Sequence, residues 1–154
     1  EENPDAGLAG CKILNPDGSP QISVGKFYNL INSFLMLFGG ERMGVLRASP
    51  SRIEEVDWVS GAVFMTSKSA IEKVGLLDEK LYHYFSDVDW ARRFWENGYK
   101  VVYFTDSKIF HYHGQPSRGR LGALEFLFNR ATRWHIKDAL RYFGKYGLRA
   151  PSYK

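Results

Sequence analysis

An α/β domain is predicted by three features of this sequence: β-rich runs alternate with helix-period runs, glycines close the helical runs, and no repeat or low-complexity tract breaks the alternation. Length agrees. A chain of 154 residues makes one domain that can bury about two-thirds of its unfolded surface without staples. The single cysteine, Cys11, excludes an internal disulfide and is expected to act as a small apolar core residue.

Residues 8–14 are an apolar run that ends in Asn15-Pro16-Asp17-Gly18, a strand entering a tight turn. A second short strand is expected over 21–24, then an apolar segment over 26–38 whose end at Gly39-Gly40 fits a helix of poor period. Residues 41–55, with Gly44 and Pro50, read as a loop. From residue 56 the run VDWVSGAVFM is β-rich with Gly61 in its middle, where glycine marks a bulge or a close approach by backbone or ligand. Ser67 caps a helix over 68–74 that Gly75 stops, and a further helix over 87–97 is stopped by Gly98. Two short strands, 101–104 and 108–112, are split by Thr105-Asp106-Ser107. A long amphipathic helix over 121–145 gathers Leu124, Phe128, Ala131, His135, Ala139 and Tyr142 on one side and Arg130, Arg133, Lys137 and Arg141 on another.

The net charge of +4 is uneven, because residues 118–154 hold nine Lys and Arg against two acids, a local +7 that leaves −3 for the rest. A basic tail on an acidic body, without RNA- or DNA-binding signatures, argues against a nucleic-acid partner. The longest apolar stretch, 30–40, falls short of the ~20 residues of a membrane span. A start at Glu1-Glu2-Asn3-Pro4 reads as a piece of a longer protein.

The chemistry-bearing residues crowd into 57–117. On the helix at 87, Val88, Trp90, Ala91, Phe94 and Trp95 share an apolar arc that includes Asp87, while Asp89 lies opposite with Arg93 four residues on. Asp89 has structural work available: an ion pair with Arg93 and an S-x-x-D capping box with Ser86. Asp87 has only the helix dipole. A carboxylate aimed inward must face a cleft, a partner or a cation, which makes Asp87 the candidate general base. His111 and His113, two apart on a strand, project to one face. They either share a divalent ion or are simply polar residues at a strand end.

NPDAGLAGCKILNPDGSPQIS, VDWVSGAVFMTSKSAIEKVGLLDE, SDVDWARRFWENGYKVVYF and IFHYHGQPS, in this order, resemble the C-terminal half of the catalytic domain of family 2 glycosyltransferases, especially rhamnosyltransferase-like enzymes of surface polysaccharide synthesis. The resemblance covers most of 3–117 and implies a partial GT-A fold, a Rossmann-like mixed sheet with flanking helices, followed by a basic helical tail over 118–154. It implies inverting transfer from a nucleotide-diphosphate sugar to a saccharide or lipid-linked acceptor, with Asp87 as base. Ser86 stands where the family usually has Glu. Asp89 and Arg93 match the supporting acid and arginine, and Trp58, Ser60 and Gly61 match the acceptor-side lining. His111, with His113 as substitute, matches the histidine that helps bind Mg²⁺ or Mn²⁺. Pro116 departs from a small-polar pattern, and Arg118 and Arg120, just past the histidines, either add phosphate contacts or are simply solvated loop charges. The family's donor pocket and its Asp-x-Asp would precede Glu1, so the isolated chain is expected to be inactive. The expected location is cytoplasmic, peripheral at the inner face of the cell membrane; the tail helix either docks its apolar side on the domain with its cations simply solvated, or turns its basic side to anionic membrane lipid or a lipid-diphosphate acceptor. A non-catalytic carbohydrate-binding or protein-interaction module is the alternative.

Overall fold

The structure is a computed structural model that describes residues 4–29, 31–33, 44–112 and 130–153. Its spine is a parallel pair. Strand β1 (Ala6–Leu14) runs beside β7 (Lys100–Phe110), and the sheet is completed by β4 (Glu54–Glu55) antiparallel to β7 and β6 (Met65–Thr66) antiparallel to β1. A second sheet, all antiparallel, orders β3 (Leu46–Arg47), β2 (Val24–Gly25) and β5 (Trp58–Val59). Gly10 lets β5 lie against β1, because a Cβ there would come within 2.6 Å of the Val59 side chain. The mixed sheet flanked by helices is an α/β arrangement consistent with a partial GT-A fold.

β7 corrects the expected pair of strands. Pairing passes from Cys11 opposite Phe104 directly to Lys12 opposite Lys108, so Thr105, Asp106 and Ser107 bulge out of one continuous strand. Those polar residues leave the ladder without ending it, since the apolar residues of β1 continue beyond them. The expected turn at 15–18 forms, with the Gly18 N–H donating to the Asn15 carbonyl at 2.9 Å. Of the helix expected over 26–38, residues 31–33 are helical and 30 and 34–38 lie outside the described residues. The loop expected over 41–55 contains, in its described part, strands β3 and β4.

Helix α1 (Lys68–Val74) starts on Ser67, whose hydroxyl accepts the Ala70 N–H, and stops at Gly75 with φ 83°. Helix α2 (Ser86–Glu96) starts differently from the expected capping box. Its N-cap is Phe85 in the left-handed region at φ 63°, no side chain caps it, and Ser86 is already helical. The cost of that backbone, high for a bulky residue, is offset by a buried ring packed on Tyr28, Tyr142 and His135.

Helix α3 (Arg130–Tyr146) covers the side of α2 that carries Asp89, opposite the apolar arc. Tyr142 is fully buried in the central core, with Ala139, Phe143 and Tyr146 packed beside it, so the basic tail shares the core of the preceding residues. Residues 121–129 of the expected helix lie outside the described residues. Tyr153 then stacks on Trp95, ring centroids 6.0 Å apart and planes 2° off parallel. Cys11 is buried as expected, and burial pushes its thiol pKa up. Among the described residues, no helix is long and apolar enough to cross a membrane.

Candidate active site

The turn between β5 and β6 and the first turn of α2 meet at Asp87. Ser60 is anchored by its N–H to the Ser23 carbonyl at 2.9 Å, and the chain reverses with the Val63 N–H donating to the Ser60 carbonyl at 3.2 Å. This reversal presents the exposed Gly61 N–H to Asp87 Oδ2 at 3.1 Å, while Oδ1 accepts the Val88 N–H at 2.9 Å. A Cβ at Gly61 would meet Asp87 at an ordinary 3.6 Å, so this approach does not itself demand glycine.

Asp87 is half-buried, so part of it reaches solvent even though protein packs densely around the carboxyl. Burial raises its pKa, and the N–H groups of Gly61, Val88 and Asp87 itself partly oppose that shift. Half-buried Tyr28 feels the same charge. Its phenol is pushed up strongly, first by burial and then by Asp87. A half-buried carboxylate with two backbone donors and a raised pKa can take a proton from a hydroxyl.

Asp89, two residues on, is arranged in the opposite way. It is 0% exposed, with Oδ1 accepting from Lys145 Nζ at 2.6 Å and Tyr146 Oη at 2.8 Å, and Oδ2 from Arg93 Nε at 3.0 Å. Arg93 also donates to the Val74 and Leu76 carbonyls, and Lys145 reaches Asp78 at 3.3 Å. One buried acid therefore ties the end of α1, α2 and α3 together. Burial, then the bond to Asp89, pushes the Tyr146 phenol well up.

The family model for glycosyl transferase family group 2 matches residues 2–143. The chain belongs to this family. It is 31% identical over 125 residues to the N-acetylglucosaminyl-diphospho-decaprenol L-rhamnosyltransferases of Mycobacterium tuberculosis strains CDC 1551 / Oshkosh and ATCC 25618 / H37Rv. The match takes in 76% of this chain and 40% of each relative, so the chain spans well under half the length of these curated relatives. No solved structure matches.

In this glycosyltransferase chain the structure brings Asp87, Gly61 and Ser60 together and sets other candidates apart. Trp58 lies in the core at 5% exposure, its indole donating to the Lys26 carbonyl at 3.0 Å and stacked on Tyr28. Gly25 makes room for it, since a Cβ there would meet the indole at 2.2 Å. Asp89 and Arg93 form the buried cluster with Lys145 and Tyr146. His111 sits past the end of β7, with Nδ1 3.1 Å from Gln21 Oε1 and its N–H on the Leu14 carbonyl. Among the described residues, no three His, Cys, Asp or Glu side chains group to hold a metal ion. His113, Arg118 and Arg120 lie outside the described residues.

Several contacts of α3 escaped the sequence reading. Asp138 on α3 is 2% exposed and accepts the His83 and Tyr84 N–H groups, both at 3.0 Å, fixing the loop that leads into α2. His135 stacks on Tyr84 at 4.2 Å, and burial pulls its pKa down. Asp138 had one legible signal, being the single acid over 130–146; Lys145 and Tyr146 had none.

Proposed function

We propose that this chain is the acceptor-side part of an inverting glycosyltransferase, which moves a sugar from a nucleoside-diphosphate donor to a hydroxyl of a saccharide or lipid-linked acceptor in cell-surface polysaccharide synthesis. The observation that carries the reading is the half-buried Asp87 carboxylate, held by two backbone donors and raised in pKa by burial, in a chain that belongs to the family. The relatives' name supports the acceptor class, because they act on a diphospho-decaprenol carrying N-acetylglucosamine.

In this reading the acceptor hydroxyl meets Asp87 at the Gly61 turn. Its proton passes to a carboxylate oxygen as its oxygen bonds to the anomeric carbon, and the anomeric C–O bond breaks with its electron pair leaving on the diphosphate. Gly61 and Val88 hold the carboxylate in one orientation throughout. Residues 1–117 form the acceptor-side half, 118–154 the basic helical tail, and the donor pocket belongs to the rest of a longer protein. Mg²⁺ or Mn²⁺, as a cofactor of that longer enzyme, would take His111 or His113 as one ligand among others outside this chain. Trp58 supports the acceptor floor from behind, while Arg118 serves the phosphates. The enzyme would work in the cytoplasm, peripheral to the inner face of the membrane.

The deciding variant is Asp87→Asn in the full-length enzyme, which keeps shape and removes the base. Turnover should fall by roughly 10²- to 10⁴-fold while donor binding survives. Near-normal turnover would sink the assignment and leave a carbohydrate-binding or interaction module as the better account.

A further inference from the structure

The side of α3 turned away from the core carries an arrangement that sugar transfer leaves unused. Tyr142 and Asp138 are buried, and Ala139 and Tyr146 half-buried, on its inner side. At 100° per residue, Arg133, Ile136, Lys137 and Leu140 fall on the opposite side, and all four are exposed. Leu140 is 70% exposed and Ile136 39%. The helix holds five cations, and its only acid, Asp138, is buried against backbone N–H groups. The outward face is therefore basic, carries two aliphatic side chains and presents no carboxylate.

Either ingredient alone is ordinary, since exposed cations are simply solvated and single surface aliphatics are common. Their combination on one face is what a helix lying in a membrane interface requires: cations for anionic headgroups and aliphatics for the acyl boundary. Tyr82, 73% exposed, meets Trp134 edge-on at 5.7 Å, and the Arg130 guanidinium lies 4.7 Å from the Trp134 ring centre. Tyrosine and tryptophan are the side chains favoured at that boundary. Nucleic-acid phosphates would use the cations but leave Ile136 and Leu140 in water.

We infer that α3 docks this protein on an anionic bilayer with its axis in the membrane plane, Ile136 and Leu140 entering the headgroup–acyl boundary and Arg130, Arg133 and Lys137 meeting lipid phosphates. This deepens the reading of a peripheral enzyme by naming the surface and its partner. The inner side of the same helix grips the loop before α2 through Asp138 and grips α2 itself through Lys145 and Tyr146. Docking thereby sets the Asp87 helix in a defined orientation to the lipid.

The test is co-sedimentation of this chain with vesicles of phosphatidylcholine alone or of equal parts phosphatidylglycerol and phosphatidylcholine. Binding should require phosphatidylglycerol, weaken with salt and fall about fivefold for each of Arg133→Gln and Lys137→Gln. The double change Ile136→Ser with Leu140→Ser, at exposed positions that leave the core intact, should remove the salt-resistant part and weaken binding roughly tenfold. Equal binding to neutral vesicles, no effect of the serine pair in a protein with unchanged thermal unfolding, or displacement from vesicles by duplex DNA would overturn the proposal. Asp87→Asn should bind vesicles normally, so a failed docking surface and a failed base assignment give different results.

Discussion

Asp87 and Asp89 lie two residues apart on one helix, and the protein handles their carboxylates in opposite ways. Asp87 has two backbone N–H donors and no described cation, so burial raises its pKa with only those N–H groups opposing the shift. Asp89 has two cations and a phenol from other turns and another helix and no exposed surface. A carboxylate is reactive where its compensation is left incomplete, and structural where charged partners complete it.

The sharpest way to break this contrast is to exchange the consequences. Asp89→Ala strands Lys145 and Arg93 beside a buried void and should cost about 3–5 kcal/mol in urea unfolding of this chain. A cost comparable to that of an exposed ion pair would mean that α3 is not braced through Asp89. Lys145→Met comes next at about 1–2 kcal/mol, because Lys145 is partly exposed and Arg93 still holds the other oxygen. Tyr146→Phe removes one neutral donor and keeps the ring, for about 1 kcal/mol. If Tyr146→Phe cost more than Lys145→Met, the phenol rather than the ammonium would be the main partner.

The smallest effect is a pH dependence on the Asp87 side. Folding raises this carboxyl's pKa, so the folded state holds its proton more tightly than the unfolded chain. Its contribution to stability is complete below the ordinary aspartate pKa and is lost as pH rises through the folded value. Urea midpoints followed from acid to neutral pH should show this loss in the parent chain and not in Asp87→Asn. An identical pH profile in both would mean that Asp87 titrates normally. In the full-length enzyme, the same shift should place the acid limb of the rate profile above the ordinary aspartate range.

Much of the fold was legible because it is local. The 100° period around Asp87 put it among Val88, Ala91 and Phe94, Ser67 and Gly75 bracketed α1, and Asn15 to Gly18 made their turn, each signal complete within a few residues. Reading 105–107 as a break failed for the opposite reason, since only pairing with β1 carries β7 across the bulge. The ordered blocks from Asn3 to Ser117 sufficed to identify the family. They carried no information on where Asp89 finds its charge, because Lys145 and Tyr146 stand 56 and 57 residues away. Nor did they show that Gly61, 26 residues before Asp87, hands it an N–H. Local sequence determines which way a side chain leaves its helix; what waits there is decided by chain packing, which in this protein brings a backbone turn to Asp87 and a second helix to Asp89.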